Sequence, residues 1–444
     1  SVIGAMLSRG EAGGRGFGAL VSLGNEACLG VGEVGAALAD DPGIDAFALF
    51  LETLRRPGAV ADFAAKARAL GKPVVAYLVG RSAAGEALAA SHTGAMVGGG
   101  RSIVAFLKAH GIVVAETFEA VLELPTALQL APQMQGRPPV ATVVTTTGGG
   151  GGMTYDLIGL KGARLQGMPE GAAARLAARD IHLRPGPIVD LTLAGTKYDT
   201  MKAVMTELTT DAETGLVVAA IGSSARFNPE LAVRPILDAS AELGDRAAPV
   251  LAVPIPDAPE SLRLFNQGGV PAFRTVEACA EAVAALLNPP LLAVPDAAAT
   301  LAPDAVEALD TLPGGPVDEA AAGEVLAGLG VPRPRWLLLE PDATVPASLP
   351  FDGPYVLKAV SPDLPHKSEA GAVALGLADA DAVAGALEAM QVQLAQRAPA
   401  ARLRGFLVQQ MGSGFGEAVI GLTRDPVCGP MISVGAAGVL AEIH

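Results

Sequence analysis

The chain has 444 residues, a length that suits about three domains of ordinary size. Hydrophobic residues make up 50% and aromatics 4%, so its cores are built from Ala, Val, Leu and Ile, which favours small helices alternating with buried parallel strands over an aromatic-rich sandwich. With 46 acidic and 31 basic residues the net charge is −15, which argues against nucleic acid or an anionic membrane as partner and leaves small anionic ligands open, since backbone N–H groups bind those.

In chain order, Phe17–Ser22, Ala46–Leu51 and Pro73–Val79 are predicted to be buried strands, with helices around 32–40, 59–70, 101–110 and 117–130. That alternation predicts a parallel, doubly wound sheet. Gln133–Pro139 is a polar, proline-containing joint, after which the pattern restarts. Strands are predicted at Val140–Thr147, Gly215–Ile221 and Pro249–Pro254, and helices from Met153 and near 199–209, 228–242, 259–267 and 276–287. Residues 289–316, rich in Ala and Pro, form a linker with room for one short helix. Beyond it come a helix near 318–329, strands at Arg335–Glu340, Tyr355–Val360 and Ala372–Leu377, a helix at 380–396 and strands at Gly405–Met411 and Glu417–Thr423. The mixed patterning of these strands points to an α+β region with an antiparallel sheet.

The cysteines, Cys28, Cys279 and Cys428, lie far apart and lack metal-ligand spacing, so neither a disulfide framework nor a structural zinc site is expected. With no apolar run of about 18 residues and no signal-like start, a soluble protein of the cytoplasm is expected. The chain opens at Ser1 without an initiator Met, as a piece of a longer polypeptide would.

Several motifs carry chemistry. Ser91-His92-Thr93-Gly94-Ala95, followed by glycines 98–100, sets one imidazole in a stretch poor in side chains, where it can act as a nucleophile toward phosphorus. Taken alone, it reads more readily as a glycine-rich loop with an incidental surface histidine. Glu52, at the end of the strand-like Asp45–Glu52, is placed to orient that ring, or to pair with Arg55 or Arg56 on the surface. Ser22, Gly24 and Asn25 follow a predicted strand and offer a hydroxyl, an amide and backbone N–H groups to an anion; they also fit an ordinary turn. Thr145–Thr147 leads into Gly148, Gly149, Gly150, Gly151 and Gly152 between a strand and a helix, an anion cradle without the Lys-Ser/Thr of a Walker A loop. In the last region Lys358 projects from a strand and suits nucleotide phosphates. His366 follows a proline in a polar turn, and Gln410 and Met411 end a strand where backbone groups can meet an adenine edge. Glu417, Arg424 and Asp425 add charge on the next hairpin.

Taken in order, these motifs resemble the ADP-forming acyl-CoA synthetases, relatives of succinyl-CoA synthetase. The resemblance rests on SLGN (22–25), FLE (50–52), GRS (80–82), SHTGA (91–95), TTTGGGGG (145–152), PIVDL (187–191), LKAVSPDLPHKSEAG (357–371), GFLVQQM (405–411), GEAVIGLTRDPVCGP (416–430) and GAAGVLAEI (435–443), and covers nearly the whole chain. It implies two flavodoxin-like, succinyl-CoA synthetase-like parallel-sheet domains at 1–132 and 135–288, followed after the linker by a partial ATP-grasp α+β domain at 317–444. The implied reaction joins a carboxylic acid to CoA with conversion of ATP to ADP and phosphate, through acyl phosphate and phosphohistidine intermediates. His92 would carry the phosphoryl group, with Glu52, 40 residues earlier, orienting it. The glycines at 148–151 would cradle it, with Ser22, Gly24 and Asn25 serving the phosphate or acyl group. His366 matches a second relay histidine of some members, while Lys358, Gln410, Met411 and Glu417 would serve ATP.

Three departures stand out. The CoA-binding domain that normally opens the family is not expected among these residues, which would begin directly after its closing Ser-Gln-Ser-Gly turn. The Asn and Asp expected to hold Mg²⁺ would fall beyond His444, so no metal ligand is assigned within the chain. Ala372 and Ala437 replace glycines of the family motifs. The acid is expected to be aryl (hydroxycinnamate-like) or short-chain, and the assembly a homodimer or higher oligomer. Two other readings stay open: a non-catalytic, synthetase-like regulatory module of a protein acetyltransferase, and a succinyl-CoA synthetase-like cycle enzyme, which the fused domain order disfavours.

Overall fold

Parallel strands covered on both faces read as unbroken apolar runs, and three such runs build the first sheet. In a computed structural model, which describes residues 2–437 apart from 83–84, 86–99, 293–302, 311, 313, 365–366, 368–369, 413 and 415, this sheet contains β1 (Phe47–Leu51), β2 (Val74–Leu78) and β3 (Val113–Val114), all parallel in the order 1-2-3. The described residues divide into two compact units, one running to residue 293 and including 421–433, the other made of the remainder.

Helices Val31–Leu38 and Pro57–Ala69 lie together beside this sheet. Gly32 lets them approach, because a Cβ there would stand 2.3 Å from the Ala59 carbonyl carbon. Pro57 opens its helix at a position whose N–H needs no partner.

A second sheet in the same unit is parallel as expected: β4 (Ala141–Thr145), β5 (Leu165–Gln166), β6 (Val189–Asp190), β7 (Leu216–Ile221) and β8 (Val250–Pro254). The order is 5-4-7-8, with β6 also on β4. Every residue of β4, β7 and β8 is buried.

The two sheets share a core through helices Phe118–Leu128 and Val276–Leu287. Each begins on a threonine whose hydroxyl accepts a backbone N–H: Thr117 from Ala120 and Thr275 from Ala278. Each also carries a glutamate six positions after the cap, and the two reach across reciprocally. Both oxygens of Glu123 accept from the Arg274 N–H, at 3.2 and 3.1 Å, and Glu281 accepts from the Glu116 N–H at 2.8 Å. The amide engaged is in each case the one preceding the other helix's cap, a correspondence that no local sequence pattern announces.

Two expectations for this unit are corrected. Phe17–Ser22, predicted as a strand, pairs with nothing among the described residues and is extended chain with residues 18–22 exposed. Arg15, donating to the Ala272 carbonyl and to Asn266, holds the start of this segment against the second half. A cavity of about 380 Å³, lined by Phe17, Val21, Val34, Leu38 and Phe50 among others, separates it from the free edge of β1. An apolar run signals burial, but a strand also needs an edge within hydrogen-bonding reach. Glycines 148–152, expected as a loop ahead of a helix at Met153, instead form the first turns of helix Gly148–Leu160. Packing overrides their low helix propensity, since a Cβ on Gly151 would lie 2.5 Å from the Thr145 methyl.

The second unit holds the antiparallel sheet expected of the last region. Its strands β9 (Trp336–Leu339), β10 (Tyr355–Val360), β11 (Val373–Leu377) and β12 (Gly405–Gln410) run in the order 11-10-12-9. Helix Ala380–Arg397 covers one face through Val383, Leu387, Met390 and Leu394, packed on Leu357, Ala359, Phe406 and Val408. Ala320, in helix Glu319–Gly328, meets Val360 and Leu407 on the other. β13 (Ala418–Asp425) and β14 (Gly429–Ala436) form a hairpin. Among the described residues no helix is long and apolar enough to cross a membrane.

Candidate active site

Parallel sheets gather ligands at the carboxyl ends of their strands, where helix N-termini present unpaired N–H groups. β4 follows this rule. Thr145 ends the strand with its hydroxyl held between the Thr147 and Ala220 carbonyls, and the Thr147 N–H donates back to the Thr145 hydroxyl at 3.0 Å. The Thr146 hydroxyl accepts the Gly222 N–H at 2.9 Å, tying this turn to the end of β7.

Thr147 then caps the glycine helix without offering its side chain to any N–H. Gly148 and Gly149 are exposed, whereas Gly150 and Gly151 are buried against Ile255 and Thr145. The helix start is therefore uncapped, sterically open and positive in its dipole, which suits an anion. Asp190, at the end of β6, lies beside Gly148 and marks the limit of the opening. It belongs to the PIVDL motif, in which nothing local marks it as a site residue.

At the end of the first sheet, Glu52 follows β1 and is exposed. Ser22, Gly24 and Asn25 are also exposed, in a turn with Gly24 at φ +56° and Glu26 at +51°. This turn does not end a strand. Arg56 holds it from the loop after Glu52, donating to the Cys28 carbonyl at 3.0 Å and to the Ala27 carbonyl. Arg56 pairs with Glu33 at 2.6 Å, and that hydrogen bond holds the Glu33 carboxyl below its ordinary value. Glu33 and Glu26 accept the N–H groups of Gly30 and Val31, closing the start of the next helix. Arg56 therefore ties the 22–28 turn to the segment that carries Glu52. His92 lies outside the described residues, as does His366.

In the second unit, Lys358 faces helix Glu319–Gly328 with 24% of its side chain exposed. Its Nζ lies 2.5 Å from Glu319 Oε1 and 2.9 Å from Gln409 Oε1, while Lys367 Nζ lies 2.6 Å from Glu319 Oε2. Burial raises the Glu319 carboxyl, but the two lysine hydrogen bonds outweigh it and leave it below its ordinary value. Strand alternation separates Gln410 from Lys358, because Lys358 is registered with Leu407 and Gln410 with Tyr355 on the opposite face. Gln409 is the glutamine that Lys358 meets.

The backbone N–H groups of Gln410 and Met411 are already bonded to the Arg335 and Pro354 carbonyls, so neither donor is open to an adenine edge. Glu417 is exposed at the foot of the hairpin, its carbonyl accepting from the Ala437 N–H. Glu319, Gly323, Arg333, Trp336 and Gln409 line a cavity of about 190 Å³, with the Arg333 guanidinium stacked over Trp336. Among the described residues no group of three His, Cys, Asp or Glu side chains could hold a metal ion.

Comparison with known proteins adds to this geometry. Residues 1–128 match the succinyl-CoA ligase like flavodoxin domain and residues 314–444 an ATP-grasp domain. The chain is 30% identical over 433 residues to a trans-feruloyl-CoA synthase from an unknown prokaryotic organism, a match covering 95% of this chain and 60% of that protein. It is 27% identical over 449 residues to acetate–CoA ligase [ADP-forming] I of Archaeoglobus fulgidus, covering 99% and 64%. The chain thus spans about three-fifths of the length of these curated relatives. In fold it is similar to dinucleotide forming acetyl-coenzyme A synthetase 1 of Ca. Korarchaeum cryptofilum in complex with phosphate and ADP, with TM-score 0.54 and 22% identity over 64% of this chain and 61% of that one.

Proposed function

We propose that the chain, which carries a succinyl-CoA ligase like flavodoxin domain and an ATP-grasp domain, is the greater part of an ADP-forming acid–CoA ligase of the acyl-CoA synthetase family. The reaction joins a small carboxylic acid to CoA and converts ATP to ADP and phosphate. The observation that carries this reading is that both kinds of domain, in the family order, lie in one chain aligned almost end to end with relatives named as CoA ligases.

The residues divide the work. Lys358 and Lys367 bind the ATP phosphates as point charges beside Gln409. His92 takes the terminal phosphoryl group through one ring nitrogen, releasing ADP, while Glu52 accepts the proton of the other nitrogen and fixes the tautomer. The open start of helix Gly148–Leu160 holds the phosphoryl oxygens through backbone N–H groups. The 22–25 turn holds the acid whose carboxylate takes the phosphoryl group from His92. Attack of the CoA thiolate on the resulting acyl phosphate breaks the acyl C–O bond and releases inorganic phosphate. His366 is a second relay position close in sequence to Lys358. Mg²⁺ is a companion of the nucleotide, an aryl or short-chain acid the substrate, the homodimer or a larger oligomer the assembly, and the cytoplasm the setting. The domain bounds remain 1–132, 135–288 and 317–444.

Incubation with γ-labelled ATP tests this. Acid-labile label on the native protein, lost in His92→Ala, is expected; a native protein that takes up no label overturns the proposal. A panel of acids assayed for CoA-dependent ADP release then identifies the substrate, with hydroxycinnamates and acetate as the first candidates.

A further inference from the structure

Glu319 stands between two lysines that come from separate segments, Lys358 within β10 and Lys367 beyond it, and gives one oxygen to each. Its own position is fixed. It is the first residue of helix Glu319–Gly328, whose cap, Asp318, accepts the Ala321 N–H at 2.9 Å and is gripped by Arg404 at 3.1 Å on both oxygens. Arg404 is in turn anchored by its N–H to the Val360 carbonyl, the end of the strand that bears Lys358.

An ammonium group has three N–H donors. Among the described residues, Lys358 gives two of them, to Glu319 and Gln409, and Lys367 gives one, to Glu319. One carboxylate shared by two ammonium groups leaves a local charge of +1, with donors to spare on both. The cluster can therefore accept an anion without releasing Glu319, as a simple neutral ion pair cannot. Without the carboxylate, two mostly buried ammonium groups would repel each other and splay.

We propose that Glu319 is a positioning residue of the nucleotide site, holding the Lys358 and Lys367 ammonium groups at one spacing so that their remaining donors converge on the polyphosphate of ATP or ADP. The proposal rests on Lys358 being a phosphate ligand, as in the function proposed above.

Calorimetric titration of the whole chain with ADP and with adenosine tests it. Glu319→Gln, similar in shape but uncharged, is expected to weaken ADP about tenfold while adenosine stays within twofold, and Glu319→Asp to recover part of the loss. Unchanged or tighter ADP binding in Glu319→Gln, or equal losses for both ligands as a merely structural tether would give, overturns the positioning role. Lys358→Ala separates this from the underlying reading. If it binds ADP as tightly as the native protein, or if the native protein binds none, the nucleotide assignment itself falls and the positioning role falls with it.

Discussion

Helices Phe118–Leu128 and Val276–Leu287 share one frame: a threonine cap, a glutamate at the second helical position and another glutamate six residues past the cap that holds the amide ahead of the partner's cap. Their surroundings differ. Glu123 is deeply buried, with the Arg15 guanidinium 3.6 Å away; burial pushes its carboxyl up to about 6 against the opposing pull of Arg15 and Arg274. Arg15 is itself lowered by burial, with Glu123 opposing. Glu281 is also raised by burial, against the opposing pull of the Glu116 N–H hydrogen bond and of Lys161. One backbone device thus works in two electrostatic settings, and the difference teaches that the cross-cap is set by geometry while its energy is set by what else is buried beside it.

The largest expected effect breaks the pair apart. Glu123→Ala strands the buried Arg15 and the Arg274 N–H together and should cost about 3–5 kcal/mol in urea unfolding, whereas Glu281→Ala strands one N–H and should cost about 1–3. Equal losses would mean that Arg15 contributes nothing to the contrast.

A smaller effect sharpens it. Because the folded Glu123 value of about 6 lies above the ordinary carboxyl value of 4.5, the folded state holds that proton more tightly between those limits. Its contribution is complete below about pH 4.5 and is withdrawn as pH rises through 6, a loss of about 2 kcal/mol. Subtracting the pH–stability curve of Glu123→Gln from that of the native protein should expose this slope, and a flat difference would refute it.

The smallest effect should show no contrast at all. Thr117→Ala and Thr275→Ala each remove one cap hydrogen bond, and each should cost about 1 kcal/mol in thermal or urea unfolding. A cap that costs twice its counterpart would show that the frames are not equivalent.

Much of the fold is legible in the residues. The unbroken apolar runs at 74–78, 216–221 and 250–254 are parallel strands, and the prolines at 57, 229 and 259 open helices. Phe17–Ser22 misled because apolar character reports a wish for burial and not the presence of a neighbouring edge. The glycines at 148–152 misled in the other direction, since propensity predicts a loop while close packing excludes a Cβ at Gly150, against Ile255 and Thr147, and at Gly151, against Thr145. In the site, Lys358 was readable as a strand lysine, but Glu319 was not: it lies 39 positions away, and no local pattern announces a carboxylate shared by two lysines.

The sequence by itself determined the alternation of elements and the parallel and antiparallel character of the sheets, because these depend on periodicity read along the chain. Tertiary structure alone decided which glutamine meets Lys358, which carboxylate joins the two lysines and how Glu123 and Glu281 close across two helices. Those contacts depend on strand register and on burial among distant segments, and neither is encoded within a window of neighbouring residues.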